Sequence, residues 1–409
     1  MSMQNQSLKK TRTVIAVVMF MFAFFNSAYV QLTTPLLSTM IETEGWTNEM
    51  LCNLIVTMGN FAQIPAYILC GILGKRMNKK KMAYISVVCF LAGGLLIIPC
   101  SFNIYLVLLC RFVVGFGSGI LILISTAILP DFFEGKELSS AIGLVLAGSG
   151  FWGFVFSNIS GYIGGTFGWK TAYLLHLYAM VPLILFAIFI PGHPLVEQKE
   201  KEKKTSGKQE KRGINPMVFV YTLAGMIIFM LVQLMWSNTS IWVTGTLGGT
   251  VAQAGLASGM LSLFSCIGRL FFGKIYGKLG RYTLHLDMVF LIIGMMIASN
   301  ASNFGVALVA LACVGVAMAL AAPAALNRCI EIAPESQETA QAITSIGFAL
   351  GNFGSTYWKL FVNGLGDGSL NSVFHINMYF TIAVLVIAFV ISGVLTLKMR
   401  GENYIDCRQ

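Results

Sequence analysis

Charge is what this sequence has least of. Asp, Glu, Lys and Arg make up 11% of its 409 residues, where a soluble globular chain carries about 25%. So little charge cannot coat a soluble domain of this size, so most of the surface must face lipid. Histidine is scarce too, at four residues, and the nine cysteines show no C-x-x-C or Cys/His spacing. That pattern excludes the usual metal frameworks, and the cysteines read as small apolar fillers. The Gly115, Gly117, Gly119 series joins no strand to a helix, so it is not a phosphate cradle. With no nucleophile–base pair either, no enzyme activity, cofactor or metal is expected.

What is abundant is apolar length. Hydrophobic residues are 56% of the chain, and runs of about 20 apolar residues mark membrane-spanning helices. Twelve spans are predicted: 13–37, 49–73, 82–100, 104–129, 139–162, 171–190, 215–238, 252–273, 283–300, 304–326, 339–361 and 374–397. The first run is too long for the core of a secretory signal, so it reads as span 1. The net charge is +10, and 23 of the 27 Lys and Arg lie in the two tails or in alternate loops. The positive-inside rule then places both termini in the cytosol, which an even span count also requires. The basic excess is this topogenic signal, and no nucleic acid partner is expected.

A repeat underlies the apolar bulk. Glu137, Ala141, Ile142, Gly150 and Gly153 recur as Glu338, Ala342, Ile343, Gly351 and Gly354, 201 residues later. The segment 71–81 (GILGKRMNKKK) has a partner in 273–281 (GKIYGKLGR), 202 residues on. The chain is therefore two homologous halves about a pseudo-two-fold axis. The expected fold is an all-α membrane protein, twelve transmembrane helices in two pseudo-symmetric six-helix bundles. The expected domains are 1–190, a charged cytosolic linker at 191–214, and 215–409. In-helix glycines such as Gly148, Gly150, Gly153 and Gly161 let backbones approach closely in lipid.

These features together resemble the major facilitator superfamily over essentially the whole chain. That family carries a G-x-x-x-D-R-x-G-R-R/K pattern between spans 2 and 3. Gly71, Arg76 and the basic run 79–81 match it, with Lys75 at the Asp position and Asn78 at the second Gly. The second copy keeps Gly273, Lys278, Gly280 and Arg281, with Gly277 at the Asp position. The resemblance implies gating roles for Gly71, Arg76, Gly273, Arg281 and Asp287, although both copies lack the Asp of the family's latch. Arg111, Gly115 and Gly117 match the R-x-x-x-G-x-G of span 4. Rocker-switch alternating access is implied, and so is a monomer.

A transporter needs a polar site near the bilayer midplane, and ionisable residues there are the first candidates. Sixteen of the 17 Asp and Glu fall in loops or at helix ends. The exception, Asp287, is in span 9, which the resemblance makes peripheral. What remains inside is positive: Arg111 in span 4 and Arg269 in span 8. A buried guanidinium needs a partner, and an anionic substrate gripped by its planar fork would serve. The span 8 arginine is also similar to one in oxalate/formate-type and monocarboxylate transporters. Those relatives add a lysine midway along span 11, whereas Lys359 sits near the outer end and is expected to snorkel. Arg111 has a competing structural role, bonding backbone carbonyls. His176 is expected to be a packing residue.

Neutral polar and aromatic residues complete the candidate substrate site: Asn26 and Tyr29 in span 1, Gln63 and Tyr67 in span 2, Gln233 and Trp236 in span 7, and Asn352 and Tyr357 in span 11. The expected function is secondary active or facilitative transport of a small organic anion, a carboxylate, across a lipid bilayer. The alternative is an efflux pump for amphipathic drug-like or bile-acid-like compounds, suggested by 30 Phe and 21 Met. The expected location is a cell membrane, a bacterial inner membrane.

Overall fold

The computed structural model describes residues 3–73, 77–190, 215–333 and 337–406, and all its regular elements there are helical. The first span is broken into α1 (Met3–Phe22), α2 (Phe25–Gln31) and α3 (Leu37–Glu44), with a 3-10 turn at Thr34–Leu36. There follow α4 (Glu49–Leu73), α5 (Lys79–Leu96), α6 (Ile104–Ala127) and α7 (Gly135–Phe167). Span 6 is α8 (Trp169–Tyr173) and α9 (Met180–Phe189), joined by a 3-10 segment. The second half is α10 (Pro216–Ile241), α11 (Val251–Leu279), α12 (Thr283–Ser299), α13 (Phe304–Ile332), α14 (Gln337–Asn363) and α15 (Leu370–Asp406). These segments reproduce the twelve spans. The linker at 191–214 lies outside the described residues.

Helix starts follow local chemistry. Asn78, Asn103, Asn215 and Asn303 each accept a backbone N–H at the head of α5, α6, α10 and α13. Thr250 and Gln253 form a reciprocal capping box on α11. Nine of the described segments are long and apolar enough to cross a membrane. The other three are exceptions for visible reasons. α5 opens on three lysines, α12 has only 17 residues, and α14 carries a polar stripe.

Span 1 departs from a single continuous helix. Its breaks release backbone carbonyls that lipid cannot satisfy. Side chains of the neighbouring helices take them up. Trp152 donates to the Phe20 carbonyl (2.9 Å), Ser118 to Phe25 (3.0 Å), Ser160 to Leu32 (2.7 Å), and Arg111 to Tyr29. The sequence pattern could not show this, because the partners lie 82 to 132 residues away along the chain.

The pseudo-symmetry appears in the packing. α4–α6 and α5–α6 pack in the first half as α11–α13 and α12–α13 do in the second. A Cβ on Gly93 would meet the Cys110 carbonyl at 2.8 Å; one on Gly294 would meet the Ala310 carbonyl at 3.0 Å. Likewise Gly115 lies against the backbone of Gly59, and Gly315 against the Leu261 carbonyl. Each pair of positions is offset by 200 to 202 residues, so equivalent helices touch at equivalent glycines.

The two bundles meet along two seams, α7 on α11 and α4 on α14, with the outer part of span 1 against α10 and α11. Gly161 and Gly255 let α7 and α11 come into backbone contact. Both termini lie on one face. Apart from the bonds of Arg269 to Ser149 and Leu146 and of Cys266 to Ala147, the described hydrogen bonds and the ion pair between the bundles lie between mid-depth and the other face. There Ser38 meets Ser240 (3.0 Å), Ser240 donates to the Pro35 carbonyl (2.8 Å), Thr57 meets Thr356 (2.7 Å) and Ser157 donates to the Gly255 carbonyl (3.0 Å). This set forms a closed gate on the face opposite the termini.

Candidate functional site

The candidate substrate residues each sit within about two turns of the middle of their helix. Most lie on the terminal side of the Thr57–Thr356 contact, whereas Arg111, bonded to the Ile55 carbonyl, and Tyr357 lie level with it or beyond it. Arg269 is about 15 Å from the end of α11, ten residues at the helical rise. Its Nη1 reaches across to the other bundle, donating to Ser149 Oγ at 3.1 Å and to the Leu146 carbonyl at 3.4 Å. No described carboxylate pairs with it. One edge of the guanidinium thus holds α7, and the remaining N–H groups have no described protein partner. Ser149 was not legible as its partner, since nothing in the sequence connects it to α11.

Arg111 has a different setting. It is fully buried, donating from Nε to the Ile55 carbonyl (2.7 Å) and from Nη2 to the Tyr29 carbonyl. It ties α2 and α4 to α6 through backbone carbonyls. Only Nη1 is left without a partner.

The neutral residues fall into two groups. In the first bundle, Tyr29 donates to Asn60 Oδ1 (2.9 Å), Tyr67 donates to Gln63 Oε1 (3.0 Å), and Asn26 meets Ser125 Oγ (3.4 Å). Asn60 and Ser125 were not singled out from sequence, and their mid-helix polar positions were the available signal. In the second bundle, Gln233 and Trp236 are buried on α10. The Nδ2 or Nε2 of Asn60, Gln63 and Gln233, the Trp236 Nε1 and the Asn352 Oδ1 are buried without partners. Orphan polar groups of this kind mark places where a ligand or water completes the bonding. Phe61 and Phe353, with centroids 4.8 Å apart, bring α4 and α14 together one residue from Asn60 and Asn352. Tyr357 is nearly half exposed and packs edge-on to Phe353. Four of the five orphan groups are donors, and Arg269 adds more. Donors thus outnumber acceptors among these unpartnered groups, which suits a ligand rich in acceptor oxygens.

The gating candidates are less connected. Arg76 lies outside the described residues, as do the surroundings of Gly71 and the side chain of Arg281. Gly273 is open, with nothing within 4 Å of the place a Cβ would take. Asp287 is buried at the head of α12, and neither carboxylate oxygen has a described partner. Beside the first gating loop, Lys79 instead holds Asp131 (2.7 Å) and the Ala127 carbonyl (2.9 Å) at the end of α6. His176 is buried, with Nδ1 against the Tyr173 carbonyl (2.9 Å) and its ring stacked on Tyr173.

Lys359 departs from the expectation of snorkelling. It is 3% exposed and pairs across the seam with Glu49 at 2.7 Å. An interbundle carboxylate within reach makes burial cheaper than extension to the interface. Glu49→Gln should leave that ammonium buried and alone. We expect a loss of about 1–3 kcal/mol, the half-exposed Glu49 moderating the cost. Lys359→Met should cost less. Thermal unfolding in detergent measures both, and an unchanged Glu49→Gln variant would show that the pair contributes nothing.

A sequence profile of the Major Facilitator Superfamily matches residues 15–356. The fold is similar to that of a bacterial homolog of the human lysosomal transporter Spinster, inward-facing and unoccupied. The TM-score is 0.69 at 14% identity, over 92% of this chain and 95% of that one. It is similar to the inward-open xylose transporter XylE from E. coli, with a TM-score of 0.72 at 13% identity, over 92% and 96% of the two chains. It is also similar to the nucleoside transporter NupG, with a TM-score of 0.69 at 11% identity, over 92% and 99%. At these identities the likeness is one of fold.

Proposed function

The chain belongs to the Major Facilitator Superfamily, and from that premise we propose that it carries a small organic anion, a carboxylate. Membership makes it a multi-pass membrane transporter working by alternating access, and not an enzyme. The anion reading rests on one observation above the others. Arg269 stands at mid-depth, bridges the bundles, and has no described carboxylate partner. A substrate carboxylate supplies the missing counter-charge, and the orphan amides and Trp236 Nε1 take its remaining oxygens. Arg111, already spent on carbonyls, contributes field more than contact.

In this reading the halves 1–190 and 215–409 rock against each other about the site, tethered by 191–214. The positive charge at the terminal face favours the cytosolic side for that face, and the membrane in this reading is a bacterial inner membrane. The closed gate is then the outer one, and the site is reached from inside. A monomer suffices. With no carboxylate at the centre of the cavity-lining helices, coupling is by exchange, uniport or a proton carried on the substrate.

A thermal-shift screen of the purified protein tests the substrate class. Small mono- and dicarboxylates should raise the melting temperature, while neutral sugars and nucleosides should not. Stabilisation by cationic or amphipathic dyes alone would overturn the anion reading and favour drug efflux.

A further inference from the structure

Asp287 is a buried acid that the transport site does not use. It is 1% exposed, and neither carboxyl oxygen has a partner among the described residues. The hydroxyl of Thr283, one turn earlier on the same side of α12, is also buried without a partner. As the fifth residue of α12, Asp287 lies past the first turn, whose free N–H groups could hold an anion. An isolated buried carboxylate is among the costliest groups a membrane protein can hold.

The repeat shows that the fold does not require an acid at this position. Gly294 packs α12 on α13 at Ala310 and Val314. Asp287 is seven residues before Gly294, about two turns along the same face, so it meets α13 near Ala317 and Ala321. Its counterpart in the first half is Ser86, 201 residues earlier, and the Ser86 carbonyl lies against Gly117, the counterpart of Ala317. Ser86 is equally buried but satisfied within its own helix, donating from Oγ to the Met82 carbonyl at 2.7 Å. One packing position thus holds a self-satisfied hydroxyl in one bundle and an unsatisfied acid in the other. The titratable neighbours are engaged elsewhere. Positions 314–327 of α13 and 380–397 of α15 carry none. His285 packs on Phe389 of α15, with ring centroids 4.3 Å apart, and on Tyr282. From α11, Lys274 and Lys278 are exposed, Tyr276 donates to Glu331 and Arg269 to Ser149.

We propose that Asp287 is a proton-binding site of the second bundle. With a proton, its hydroxyl can donate to the Thr283 carbonyl, as Ser86 does to Met82, and its other oxygen can accept the Thr283 hydroxyl. One proton then completes the bonding of all three orphan oxygens. Hard metal cations take about six oxygen ligands, and these side chains offer three. Losing the proton leaves a bare charge that only entering water can stabilise, so occupancy holds α12 on α13 and alkalinity loosens that contact. The site does not depend on what the central cavity carries.

Infrared difference spectroscopy of the full-length protein in lipid tests it, comparing wild type with Asp287→Asn. A protonated carboxyl band at neutral pH, absent from the variant, is expected. Thermal unfolding supplies a second readout. Above the ordinary carboxylate range the native chain keeps a proton that the unfolded chain has released, so each rise in pH costs the wild type stability. Asp287→Asn, and Asp287→Ser, which copies the first half, lack that loss, so both should gain on the wild type as pH rises. An ionised carboxylate at neutral pH, parallel stability profiles, or stabilisation of the wild type by sodium over potassium that Asp287→Asn removes would each overturn the proposal.

Discussion

Arg269→Gln should abolish carboxylate stabilisation and lower carboxylate transport about a hundredfold, with little change in the fold. The guanidinium does two things in the structure. One nitrogen fastens α11 to Ser149 and Leu146 on α7, and the others remain open. Glutamine can keep a hydrogen bond to Ser149, so the seam survives. It cannot supply charge or a two-point grip. Losing one partner of a desolvated charge pair costs about 2–5 kcal/mol, which sets the hundredfold scale. Arg269→Lys separates the two contributions, because it restores charge without the planar fork. It should recover part of the affinity, within about tenfold of wild type. Uptake into proteoliposomes and the melting shift with ligand are the measurements. Wild-type transport by Arg269→Gln would reduce this residue to a bundle-to-bundle fastener.

Ser38→Cys with Ser240→Cys should give a transporter that an oxidant switches off and a thiol reductant restores. The two hydroxyls are 3.0 Å apart, from the outer part of span 1 and the end of α10. A disulfide demands a close, defined approach, which only the closed gate provides. Alternating access requires these elements to separate once per cycle, so the bond should stop transport almost completely. The nine native cysteines must first be replaced. Substrate binding from the terminal side should persist in the cross-linked protein. Full transport after complete cross-linking would mean that this contact is not a gate.

Much of the architecture was legible in one dimension. Burial in lipid leaves a composition signal, so the twelve apolar spans and the two-half repeat could be read directly. The break in span 1 could not be. Pro35 hints at it, but the carbonyls are rescued by Ser118, Trp152, Ser160 and Arg111, which only folding brings near. The same holds for Lys359. Its distance from the helix end suggested an interface, while its real environment is set by Glu49 on another bundle.

The site divides along the same line. The sequence by itself determined that the membrane interior holds two arginines and almost no carboxylate, because charge is too costly in lipid to be placed at random. It also determined which helices carry mid-depth amides. It could not say which face of each helix looks inward, since a helix surrounded by protein and lipid has an apolar residue on almost every side. Tertiary structure alone decided that Arg111 is spent on backbone carbonyls while Arg269 keeps open donors at the bundle junction. Two residues of identical chemistry were separated by where their partners lie, and hydrogen-bond partners across a bundle have no spacing rule along the chain.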